Sequence, residues 1–169
     1  MSLTNALTVS IGLLAALVTW AFLAPLSAFN IQVWIVFIGW AAYYASGGTT
    51  NALSSNIPAH ILGAIVGALA LITVSHYGDA MGPGIVAAIA VGVGAAIIVQ
   101  CSKMGMFGNI PCAVLGFAAI AGYALLAGKM GDLYSTDPFG NPATVAILSL
   151  IVGAIVGWLS ETIGSALAS

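Results

Sequence analysis

The segment Ser46-Gly47-Gly48-Thr49-Thr50-Asn51-Ala52-Leu53-Ser54-Ser55-Asn56-Ile57-Pro58 is small, polar and free of charge, and strongly apolar sequence lies on both sides of it. Such an interruption is what a chain shows when it crosses a bilayer, turns and crosses again. A partial copy follows at Ser102-Lys103-Met104-Gly105-Met106-Phe107-Gly108-Asn109-Ile110-Pro111, again between apolar runs. Both copies end in Asn-Ile-Pro, and Asn56 and Asn109 are 53 positions apart. Either these are ordinary helix starts at a membrane face, or they are paired linings of a route through the membrane.

Composition places the rest of the chain in lipid. Of 169 residues, 62% are hydrophobic and 4% charged, whereas about a quarter of a soluble domain is charged. So few charges cannot keep so apolar a surface in water. The net charge of −2 comes without any basic cluster, which leaves out nucleic acid and a polybasic lipid switch. The expectation is an all-α polytopic membrane protein forming a single transmembrane domain over residues 1–169.

Six spans are predicted, or five if one of the short ones is re-entrant. The first, Leu3 to Leu23, has no Lys or Arg before it. It is therefore read as a retained helix and not as a signal peptide, which normally begins with positive charge. The second, Ile31 to Ala45, is expected to be capped by Asn30. The third runs from Pro58 to Val74, before a turn at His76 to Gly84. The fourth, Ile85 to Cys101, is rich in Gly and Ala, which predicts tight packing. The fifth runs from Pro111 to Leu126. The sixth starts near Asn141-Pro142 and reaches Leu159, with a short helical tail after Glu161. Lys and Arg are balanced one against one across the two sides, so they set no orientation. The acidic side loops lean towards cytoplasmic termini.

Two internal repeats compete. The 53-residue offset lays spans two and three on spans four and five as a parallel repeat. Gly63-Ala64-Ile65-Val66-Gly67 and Gly153-Ala154-Ile155-Val156-Gly157 are identical, and they relate spans three and six as an inverted repeat would. Both kinds occur in transporters and channels. The Asn-Ile-Pro match is the more specific of the two, because chains rich in Ala, Gly, Ile and Val match one another by chance.

Asn followed by Pro is good helix-start chemistry, since Asn accepts an orphan N–H and Pro lacks one to lose. Capping is thus the leading reading of Asn56 and Asn109, and lining is the functional one. Thr50, Asn51 and Ser54 would add neutral hydrogen-bonding groups to such a lining. His60 is the ionisable side chain lying well within a span, a position that is functional by default. Gln100 would stand at the mouth of the path. For Trp40, Tyr44 and Phe107 an interfacial aromatic belt is the leading reading, and a slot for a flat solute is the functional one.

Enzyme chemistry finds no support. The spans hold no paired carboxylates, the chain has no phosphate-binding Gly loop, and Cys101 and Cys112 have no metal-ligand spacing. No cofactor or metal is expected. The size, the span count and the paired Asn-Ile-Pro segments resemble the YcdZ-like family of small bacterial inner-membrane proteins of unknown function. That resemblance implies an inner (plasma) membrane location and no particular site. A weaker similarity is to urea and amide channels, which place polar residues at broken helices beside aromatic slots. The functional expectation is a passive channel or facilitator for a small neutral polar solute of the urea, amide or dissolved-gas kind. The lipid bilayer and further copies of the chain are the expected partners, a trimer being favoured by analogy. The alternatives are a non-transporting membrane module packed on a partner protein, and a proton-linked transporter using His60.

Overall fold

The computed structural model describes residues 1–168. The described residues form six α-helices: α1 (Leu3–Leu23), α2 (Val33–Ala45), α3 (Thr50–Met81), α4 (Pro83–Cys101), α5 (Ile110–Leu126) and α6 (Pro142–Ala168). Single 3₁₀ turns follow α1 (Ser27–Phe29), α4 (Ser102–Met104) and α5 (Gly131–Tyr134), and the described residues contain no strand. The all-α membrane architecture expected from composition is thereby met. Four helices, α1, α3, α4 and α6, are long and apolar enough to cross a membrane. At 13 residues α2 is only about 20 Å long, and at 17 residues α5 is about 25 Å. Both fall short of a hydrocarbon core of about 30 Å.

The helices group into two compact units. One holds Met1–Ser54 and the chain from Leu148 onward, which is α1, α2 and most of α6. The other, Ser55–Ile147, holds most of α3 together with α4 and α5. Each unit is built on one close helix pair, and glycine sets the distance in both. In the first unit a Cβ at Gly39 of α2 would strike the Leu150 carbonyl of α6, and one at Gly153 would strike the Val36 carbonyl. In the second a Cβ at Gly63 of α3 would strike the Ala113 carbonyl of α5, and one at Gly116 would strike the His60 carbonyl. One turn on, Gly157 lies against Tyr43 and Gly67 against Ile120. Backbones this close need a residue without a Cβ on each side.

Both pairs are parallel. Contacts between α2 and α6 advance from Gln32–Ser149 through the glycines to Tyr44–Ser160. Those between α3 and α5 advance from Asn56–Asn109 to Gly67–Ile120. The two crossings are therefore the same construction made twice. Gly63 and Gly67 of α3 correspond to Gly153 and Gly157 of α6, and Gly39 of α2 to Gly116 of α5. The sequences Gly39-Trp40-Ala41-Ala42 and Gly116-Phe117-Ala118-Ala119 share this frame. The order long helix, 3₁₀ turn, short helix, long helix is shared by α1–α2–α3 and α4–α5–α6, the second half carrying one further 3₁₀ turn between its short and last helices. The packing follows the Gly-Ala-Ile-Val-Gly repeat, and the third helix of each half sits in the unit of the other half. The 53-residue offset has a different origin: it is the register in which α3 and α5 lie side by side. Gly92, which that offset pairs with Gly39, has no atom within 4 Å of a would-be Cβ.

Several boundaries differ from the sequence expectation. The third helix starts at Thr50, not Pro58, and Pro58 lies inside it. Thr49 Oγ1 accepts from the Ala52 N–H, and Ser54 Oγ donates to the Asn51 carbonyl, so the polar run is absorbed into the first turns of α3. What remains outside is Ser46 to Thr49, where Gly47 and Gly48 take φ of +100° and +62° and close α2 through N–H bonds to Tyr44 and Tyr43. The turn expected at His76 to Gly84 shrinks to Gly82, whose φ is +88°, with Pro83 opening α4. Asn30 does not cap α2: it sits at φ +53° after the first 3₁₀ turn, and Gln32 occupies the cap position. The tail after Glu161 continues α6 without a break. The Gly-rich α4 is also not tightly packed, because Gly84 and Gly92 meet nothing and only Gly94 touches Phe117 and Val66.

Candidate functional site

In the second unit, Asn56 and His60 stand one helical turn apart on α3, and both are 0% exposed. Asn109, at the cap of α5, accepts the Cys112 N–H with Oδ1 and donates through Nδ2 to Asn56 Oδ1 at 2.8 Å. The cap bond fixes which way the Asn109 amide points, and that in turn fixes Asn56. Ser55 Oγ donates to the same Asn56 oxygen at 3.2 Å. Asn56 Nδ2 is consequently the free end, and it has no partner among the described residues; neither does His60 Nδ1 nor Nε2. Leaving a buried polar group unmatched costs about 1–3 kcal/mol. Three such atoms within one turn of one helix are not the mark of ordinary packing.

In the first unit the buried polar contacts gather at the other end of the crossing, beyond Gly157. Trp40 Nε1 donates to Ser160 Oγ at 3.0 Å, and the Tyr44 hydroxyl is bonded to the same oxygen at 2.8 Å. Ser10 Oγ of α1 donates to the Ser160 carbonyl at 2.8 Å. Three helices are tied at one buried serine, which rigidifies the unit. One atom here is left over, the buried Tyr43 hydroxyl. Ser160 and Ser10 escaped the sequence reading, although a serine one turn beyond Gly157 on an otherwise apolar face was the available signal.

The expected site residues thus separate. Asn56, His60 and Asn109 come together. Trp40 and Tyr44 converge on Ser160, so they hold a structural bond and do not form a free aromatic slot. Thr50, Asn51 and Ser54 are exposed on the first turns of α3. Gln100 is exposed at the end of α4, and Phe107 is half-buried in the following segment. A groove of about 410 Å³ runs between α3 and α4, lined by apolar side chains such as Val66, Leu69, Val86, Ile89 and Val93. None of the expected site residues borders it. Outside the helices, Lys129 and Asp132 form an exposed ion pair at 2.8 Å that raises the lysine pKa. No group of three or more His, Cys, Asp or Glu residues that could hold a metal occurs among the described residues.

A family model described as a protein of unknown function (DUF1097) matches residues 8–165. The chain belongs to the DUF1097 family. The match takes in five helices in full or nearly so and all but the end of α6, so both glycine crossings and the Asn56–His60–Asn109 cluster lie within the DUF1097 region. No curated protein and no solved structure matches the chain.

Proposed function

We propose that this member of the DUF1097 family is a passive facilitator for a small neutral polar solute. The observation that carries the reading is the buried, unmatched hydrogen-bonding capacity of Asn56 and His60. Along α3, Asn56 is about 9 Å and His60 about 15 Å from the start of the helix. In a helix of 32 residues, about 48 Å long, both lie well inside the ends. Polar side chains inside a membrane face the protein interior or a path and are expensive to keep. The first charged residue of the chain is Asp79, and none follows until Lys103. A neutral solute therefore suits the cluster better than an ion.

Solute flux into proteoliposomes tests this, comparing urea, formamide, glycerol and bicarbonate. The expected result is faster entry of an amide than into empty vesicles, with no dependence on a proton gradient. Rates equal to empty vesicles for every solute would remove the proposal. Flux that follows a proton gradient and is lost in His60→Ala would favour a proton-linked transporter. A second reading is a non-transporting module that docks on a partner, and the outward-facing α1 and α4 favour it, since each buries little of its apolar surface.

A further inference from the structure

The duplicated crossing supplies an internal control for what His60 does. In the first unit, the residue that stands where His60 stands, three positions before the first glycine of Gly-Ala-Ile-Val-Gly, is Leu150. Leu150 is fully buried and its backbone lies under Gly39, just as the His60 backbone lies under Gly116. The position preceding it by one turn is Asn56 on α3 and the fully buried Ala146 on α6. The same place in the crossing is thus filled once by Leu150 and once by His60. Packing alone is met by the leucine. Beyond the Asn56–Asn109 bond, Asn56 and His60 add nothing that the crossing requires, and they leave three buried atoms unmatched.

We infer that the α3–α5 crossing holds one binding site per chain for a small planar carboxamide-type solute, contacted by Asn56 Nδ2 and the His60 ring, and that the α2–α6 crossing is its sealed counterpart. This rests on the reading of the cluster as solute-facing. The chemistry of the free atoms selects the class. Asn56 Nδ2 offers N–H donors only, and an imidazole adds one donor and one acceptor, so donors prevail and call for a carbonyl oxygen. The remaining ring acceptor calls for an N–H on the same solute. Flatness is suggested by the crossing itself, where Gly116 lies on the His60 backbone and Gly63 on that of Ala113, so that little width is left beside the ring. A carboxamide or urea meets all three conditions. Glycerol lacks both the carbonyl and the plane.

The test reads the histidines directly, because the chain has only His60 and His76. Purified full-length protein labelled with ¹⁵N-histidine is titrated in micelles with formamide, urea and glycerol. His76→Gln, at the far end of α3, assigns the His60 signals. The expected result is a saturable, single-site shift of the His60 signals with formamide or urea, and none with glycerol. In parallel, His60→Leu, which copies the residue of the sealed crossing, is expected to raise the melting temperature by several degrees. A His60 signal unmoved by either amide would overturn the inference, and so would an equal response to glycerol. A lower melting temperature in His60→Leu would make the imidazole structural and overturn it too. Flux without any His60 shift would keep the facilitator and discard this site. A saturable shift without flux would keep the site and discard the facilitator.

Discussion

Asn109 donates from its side-chain nitrogen to the side-chain oxygen of Asn56 at 2.8 Å, so the two Asn-Ile-Pro segments meet through their own asparagines. Their roles are nonetheless different. Asn109 is a helix cap with its oxygen on the Cys112 N–H, while Asn56 lies two turns inside α3. The bond between them joins a cap to a buried side chain and leaves the Asn56 nitrogen pointing away from both.

Asn109→Ser separates those two functions. Serine is as good a cap as asparagine, so α5 keeps its start, but its side chain is too short to reach Asn56 Oδ1. One neutral hydrogen bond is lost, with an expected cost of about 1 kcal/mol. Asn109→Ala removes the cap as well and is expected to cost about 2 kcal/mol in total. Equilibrium unfolding in mixed micelles, comparing the two variants, checks the order. Equal losses would mean that the cap contributes nothing, and an Asn109→Ser variant with no loss would mean that the bond to Asn56 contributes nothing.

Ser160→Ala breaks the junction of the first unit. The Trp40 indole and the Tyr44 hydroxyl both lose their partner at once. The buried indole and the half-buried hydroxyl left unmatched should together cost about 1–3 kcal/mol. Because Ser10 bonds the Ser160 carbonyl and not the hydroxyl, the α1 attachment should survive, and Ser10→Ala should cost less than Ser160→Ala. Tryptophan fluorescence, from four indoles including Trp40, follows the unfolding of both variants. Solute response at His60 should be unchanged in Ser160→Ala, since none of its partners belongs to that cluster.

Much of this arrangement was legible in the residues. Composition and span lengths gave the membrane class, and Asn141 caps its helix as expected, with Oδ1 on the Ala143 N–H. The start of α3 was not legible. A polar run rich in Ser, Thr and Asn reads as a loop because those side chains compete for the backbone. Here Thr49 and Ser54 use that same capacity to support helical turns. The packing of α4 was misread for a related reason: small residues permit close approach but do not enforce it, and Gly92 has nothing to approach. The Asn56–His60 cluster was visible residue by residue. What the sequence could not show is that Ser55 and Asn109 occupy the Asn56 oxygen and leave its nitrogen unmatched.

The glycines give the sharpest separation of all, because the fold says which of them are replaceable. Gly92→Ala on α4 places a methyl group in open space and trades the poorest non-proline helix former for the best, so stability should rise, by less than about 1 kcal/mol. Gly63→Ala and Gly116→Ala drive a methyl group into facing backbone, which no side-chain rotation relieves. Each should cost about 3 kcal/mol or more, beyond ordinary overpacking because main chain must move. The duplicated construction then makes a further demand. Gly39→Ala and Gly153→Ala meet backbone in the same way across α2 and α6, so they should be as damaging as their counterparts. Four unfolding curves decide this, with Gly92→Ala as the control. If the α2–α6 glycines prove tolerant while the α3–α5 glycines do not, the two crossings are not equivalent, and Leu150 ceases to be a valid reference for His60.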